Sequence, residues 1–231
     1  MKKLILVIIS IIIISPLMAQ QTTDTVSQVQ SKRGIIYGLN FLTSTMNDNQ
    51  RLSTLTSIPN INQVNMGFDF IFGYSTNKGF EYTMDIGLET WTNIRNNKQI
   101  ATTSGLYSFN LGYKIEFCEK AKLSIVPRLG IGWNFNSLNY SEVTNRDISF
   151  SELSKYTWNV DQYTNFYVPA ALEIHYKTSK TTSMVIGAEY RYFFYTGSVD
   201  VFQTNQQIYD FPKFTANQLS FKIGYTKLFK L

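Results

Sequence analysis

From Gly34 onward the chain alternates. Val64, Met66, Phe68, Phe70, Phe72 and Tyr74 take every second position of one stretch, and Phe80, Tyr82, Met84, Ile86 and Leu88 do the same in the next. A period of two sends alternate side chains to opposite faces of a β-strand. Eight such segments are predicted, near 34–44, 62–74, 80–92, 103–116, 121–135, 164–176, 182–195 and 217–226. None of the eight apolar sets holds a charge. Asp69, Glu81, Asp85, Glu89, Lys114, Glu116, Arg128, Glu173, Glu189, Arg191 and Lys222 all fall on the other face, together with His175, the single histidine.

Each segment is long enough for the roughly 9–11 residues of a tilted strand that crosses a bilayer. The connections alternate in expected length: long at 45–61, 93–102, 136–163 and 196–216, brief at 75–79, 117–120 and 177–181. Long loops on one side and short turns on the other are what outer-membrane barrels have. The predicted fold is therefore all-β, an eight-stranded antiparallel up-and-down transmembrane barrel. An even strand number puts both termini on one side, the periplasmic one.

Alternation alone leaves open which face is inside, because a soluble ligand-binding barrel would turn its apolar face inward. Two features decide. An eight-stranded barrel is only just wide enough inside to be filled by side chains, and the stacks of Phe, Tyr, Met, Leu and Ile exceed that space. Strand glycines, among them Gly67, Gly112, Gly132, Gly187 and Gly224, also share the charged face, where they relieve crowding. The charged face is the lumen. Tyr74, Phe80, Tyr113, Tyr176 and Tyr225 then ring one edge of the outer wall, and Trp133, Phe135, Phe166, Tyr192 and Phe194 the other, at the headgroup levels that aromatic residues favour. Pro127 and Pro169 each remove one ladder donor, so a bulge or an irregular ladder is expected at both.

The amino terminus reads as a signal peptide over residues 1–19, with Lys2 and Lys3 before the apolar run Leu4–Ser15 and Leu17-Met18-Ala19 as the cleavage site. Residues 20–33 read as a flexible periplasmic extension, and 34–231 as the barrel domain. The formal charge of +5 falls to +3 without Lys2 and Lys3. That excess is no nucleic-acid stripe. Lys78, Lys120, Lys122, Lys177, Lys180, Lys227 and Lys230 belong to the short turns, their margins and the carboxyl-terminal tail. Such a collar suits anionic headgroups; ordinary solvated turns would look the same. The lone Cys118 can form no internal disulfide.

The runs Val126-Pro127-Arg128-Leu129-Gly130-Ile131-Gly132-Trp133, Val185-Ile186-Gly187-Ala188-Glu189-Tyr190-Arg191-Tyr192 and Leu219-Ser220-Phe221-Lys222-Ile223-Gly224-Tyr225 resemble small outer-membrane β-barrel domain proteins. That group holds OmpA- and OmpX-like eight-stranded barrels and porT-like secretion components. The resemblance spans the barrel domain and implies outer-membrane localisation. It is specific for fold and says little of chemistry.

The lumen set holds seven acids and four bases. It fits a salt-bridge network that plugs the barrel, or alternatively a narrow cation-preferring pore. An odd-length 75–79 turn would set Asp69 against Asp85, and two such carboxylates need a cation between them; Arg128 and Arg191 are the candidates. Catalysis requires nucleophile, base and orienting group within hydrogen-bond reach. The sequence offers no such trio near the outer leaflet, so no enzyme, cofactor or metal site is predicted, and His175 reads as a packed lumen residue. Expected partners are membrane lipids and lipopolysaccharide, and an extracellular or secretion-system protein met by loops of mixed charge, with Tyr140, Tyr156, Trp158 and Tyr163 in the longest. Nucleic acid is not among them.

Overall fold

A computed structural model of the chain describes residues 33–46, 64–95, 98–116, 122–142, 157–197, 199–203 and 217–231. The signal-peptide segment, the extension up to residue 32, Cys118 and most of the long connections lie outside the described residues. The strands are β1 (Gly34–Met46), β2 (Val64–Ser75), β3 (Phe80–Arg95), β4 (Lys98–Tyr113), β5 (Ile115–Glu116), β6 (Leu123–Glu142), β7 (Thr157–Lys177), β8 (Thr182–Tyr195), β9 (Val199–Gln203) and β10 (Gln218–Lys230). Every pairing is antiparallel. β1 joins β10 from Gly34↔Lys230 to Met46↔Gln218, which closes an eight-stave barrel of β1–β4, β6–β8 and β10. Closure leaves no open sheet edge, the condition for a sheet to lie in hydrocarbon.

The two faces separate as their residue types require. Outward Phe41, Met66 and Ile186 are 64%, 67% and 56% exposed, whereas inward Glu173, Lys222 and Arg191 are 0%, 3% and 3% exposed. Aromatic pairs tie neighbouring staves on the outer wall, including Phe80 with Tyr113 and Tyr107 stacked on Trp133.

Both prolines interrupt a ladder. β5 continues the β4 register against β6, and the gap at Lys114 lies where Val126 and Pro127 would pair. Opposite Pro169, the β6–β7 pairing skips from Leu129↔Ala170 to Gly132↔Tyr167, and the β7–β8 register shifts between Phe166 and Tyr167. A ring without N–H cannot donate, so the ladder opens beside it.

Three connections differ from expectation. β3 and β4 continue to Arg95 and Lys98, so the connection expected at 93–102 is a strand extension joined through two residues. The 136–163 connection is partly strand, to Glu142 and from Thr157, and the 196–216 connection contains β9, paired with β7. Past the apolar band neither face needs to be oily, so alternation fades while hydrogen bonding persists. The bulge between β6 and β7 above Phe135 marks this change: β7 has one residue more, and Thr164 adopts φ 59°, a strained region for a β-branched residue.

The register of β2 and β3 also differs. The turn closes with Thr76 N to Phe80 O (2.8 Å) and Gly79 at φ 86°, which pairs Ser75 with Glu81. Asp69 therefore meets Gly87, and Asp85 meets Ile71. The two aspartates are offset by two residues rather than opposed.

Candidate functional site

The lumen contains a continuous set of ion pairs. Near the end that carries the chain termini, the Arg128 guanidinium (β6) donates to Glu81 (2.7 Å), Glu173 (2.9 Å) and the Thr83 hydroxyl (2.9 Å). Glu173 also lies 2.8 Å from Lys222 and 2.8 Å from Nε2 of His175. Lys222 reaches Glu189 at 3.2 Å, and Arg191 binds Glu189 at 2.6 Å, Glu89 at 2.7 Å and Gln218 at 3.1 Å. Ser44 donates to the second Glu89 oxygen at 2.8 Å.

Glycines let these side chains meet across an intervening strand. Gly112 stands in the ladder between Glu81 and Arg128, and Gly187 between Glu173 and Lys222. A Cβ at Gly187 would sit 3.0 Å from Cγ of Glu173 and 3.3 Å from Cγ of Lys222. The Arg191–Glu89 pair goes further. β8 and β3 are four staves apart in a ring of eight, so this contact crosses the full bore. Burial of such charges is tolerable only with pairing of this density, because each ion leaves water at a cost of several kcal/mol.

Two members of the predicted set stay outside the pairing. Among the described residues Asp69 and Asp85 form no ion pair, and one oxygen of each lacks a hydrogen-bond partner. Neither Arg128 nor Arg191 bridges them. Both arginines are held by glutamates instead. Lys114 and Glu116 sit at the rim (3.5 Å), where Glu116 also binds Lys177 at 2.9 Å. Glu116 is partly buried, which raises its pKa, but the hydrogen bond from Lys177 and the charge of Lys114 outweigh this and hold it below its ordinary value.

His175 invites a chemical reading because Ser124 is its direct ladder partner and Glu173 its hydrogen-bond partner. This is a serine, a histidine and an acid in one place. The Ser124 hydroxyl makes no hydrogen bond among the described residues, however, and Ser124, His175 and Glu173 are 0%, 3% and 0% exposed. Glu173 is already committed to two cations. No group of three His, Cys, Asp or Glu side chains among the described residues could hold a metal ion.

Several contributors were not legible in the chain. Tyr167 has inward parity; it is 2% exposed and donates to the Tyr107 carbonyl at 3.2 Å. Its ring lies over Gly132, where an added Cβ would be 2.4 Å away. Ser44, Thr83 and Gln218 complete the network through neutral oxygens. Parity alone would have placed them inside, but only the register says which charge they meet.

No protein-family model matches the chain, and no curated protein does. Solved structures do match. Neisserial surface protein A is 11% identical, with a TM-score of 0.50 over 86% of this chain and all of that one. Ail, the attachment invasion locus protein of Yersinia pestis, solved with the heparin analogue sucrose octasulfate, is 10% identical with a TM-score of 0.50 over 86% of this chain and all of that one. A major outer membrane protein from Thermus thermophilus is 10% identical, with a TM-score of 0.54 over 84% of this chain and 99% of that one. The chain has the fold of the small eight-stranded outer-membrane β-barrels.

Proposed function

We propose that the protein is an integral, non-enzymatic outer-membrane barrel whose lumen is closed by its own ion pairs, and whose long-connection end is an extracellular interaction surface. The observation that carries this reading is the Arg191–Glu89 contact of 2.7 Å across the bore, in series with the Arg128, Glu173, Lys222 and Glu189 pairs. A lumen of eight staves has no spare width beside such a network. The apolar outer wall supports bilayer residence. The short turns support a periplasmic position for the termini, and the long connections support contact with lipopolysaccharide and with an extracellular or secretion-system protein partner.

A second reading, a narrow pore, is favoured by one observation. Asn40, Asp69, Asp85 and Ser220 keep buried polar atoms without protein partners among the described residues, and water would satisfy them. Planar-bilayer conductance separates the two. A plugged barrel gives no steady ohmic step, and Arg191→Ala should introduce one. A wild-type step that lumen substitutions abolish would establish the pore and remove the plug.

A further inference from the structure

The end of the barrel that carries the termini is ringed by cations. Arg33, Lys78, Lys122, Lys180 and Lys230 are exposed there, and Lys177 and Lys227 are half-exposed. The segments that bear them are bonded into a circuit. Leu231 N donates to Arg33 O (3.2 Å), Leu228 N to Thr181 O (2.8 Å), Lys177 N to Lys122 O (2.6 Å) and Lys114 N to Gly79 O (2.8 Å). Among the described residues of this rim the one acid outside the lumen network is Glu116, already neutralised by Lys177 and Lys114.

Two of the cations rest on outward-facing rings. The Arg33 guanidinium is 5.8 Å from the centroid of Tyr74. The Lys227 ammonium is 6.0 Å from Tyr37 and 5.2 Å from Phe229, and those two rings are stacked at 4.9 Å. These rings belong to the face that meets hydrocarbon, so the charges above them stand where chains give way to headgroups. In sequence the turns, margins and tail at this end set Glu116 and Glu119 against Arg33, Lys78, Lys120, Lys122, Lys177, Lys180, Lys227 and Lys230, whereas the connections at the opposite end carry the two signs in near balance. A ring so strongly weighted to one sign fits a surface of opposite charge.

We propose that this ring binds the phosphodiester headgroups of an anionic phospholipid of the phosphatidylglycerol class, in the leaflet on the side of the chain termini. The proposal rests on the membrane-barrel reading above. A basic side chain near an anionic surface favours it by roughly fivefold, and neighbouring side chains share lipids, so a selectivity on the order of tenfold over a zwitterionic lipid is expected.

Native mass spectrometry of the detergent-folded barrel, offered equimolar phosphatidylglycerol and phosphatidylcholine, tests it. Wild type should retain phosphatidylglycerol preferentially. The combined Lys78→Gln, Lys122→Gln, Lys180→Gln, Lys230→Gln variant should bind both lipids alike, and Arg95→Gln with Lys98→Gln, at the other end, should keep the preference. Should the fourfold variant not fold, wild type decides alone: its preference must vanish in about 1 M salt, where the Debye length is roughly 3 Å. Equal retention by wild type, or equal loss in the opposite-end variant, overturns the ring as the site. A chain that stays folded without detergent or lipid would overturn the barrel reading itself, which the lipid comparison alone does not touch.

Discussion

The two sides of the bore are built on different terms. On the side of β6, β7 and β8, with Lys222 of β10 and the glutamates of β3, each charged lumen group among the described residues meets an opposite charge within 3.2 Å. On the side of β1 and β2, Asn40 and Asp69 stand opposite one another, and Asp85 lies one strand further. There Asp69 and Asp85 each keep a buried carboxylate oxygen without a partner and form no ion pair among the described residues. The first sector holds the staves together by mutual neutralisation, and the second leaves its two carboxylates without a countercharge in contact. A charged lumen is thus not one environment, and residue type alone does not tell which sector a carboxylate occupies.

The largest expected break in that contrast is Arg128→Met. It leaves Glu81 and Glu173 buried without their shared cation, a loss on the order of 3–5 kcal/mol. The thermal midpoint, followed by heat-modifiable mobility on gels, should fall accordingly. An unchanged midpoint would remove the claim that pairing holds this sector. Arg191→Met should act in the same direction, and combining it with Glu89→Gln should recover part of the loss, with a coupling of about 1–3 kcal/mol in a double-mutant cycle. Additive effects would mean that the contact across the bore carries no energy.

Asp69→Asn should behave in the opposite sense. It removes a charge that no ion pair offsets, so the midpoint should stay within about 1 kcal/mol of wild type or rise. A fall as large as that of Arg128→Met would erase the distinction between sectors. The smallest effect belongs to the rim. Because Lys177 and Lys114 lower the pKa of Glu116 against the opposing effect of burial, its contribution is complete above its unfolded value of about 4.5 and is lost as pH falls through the lower folded value. Water screens this pair, so the contribution is under about 1 kcal/mol. Glu116→Gln should flatten the midpoint-versus-pH curve in acid, and an unaltered curve would show that the rim pair is energetically silent.

Face assignment was legible because a bilayer imposes it residue by residue: Phe68 and Phe70 must meet oil, and Asp69 between them must not. Ladder breaks beside Pro127 and Pro169 were legible for an equally local reason, the missing donor. Register was not. It depends on where a short turn closes, and the positive φ of Gly79 moved Asp69 from Asp85 to Gly87. Without register, the Glu81–Gly112–Arg128 and Glu173–Gly187–Lys222 crossings are invisible, although every participant has the right parity. Strand length failed for a different reason. The run Asn93-Ile94-Arg95 is too short and too polar to extend the alternation in sequence, yet its backbone remains paired with β4.

The overshoot of β6 and β7 has a mechanical corollary. The paired strands carry on from Phe135 to Ser141, opposite Thr157, and β9 adds a third strand along Trp158–Gln162. At about 3.3 Å per residue this makes a stiff fin roughly 20 Å tall. A molecule that gripped its tip would load the same two staves whose lower halves carry Arg128 and Glu173, so a pull on the fin would be transmitted as shear at the deepest arginine clamp.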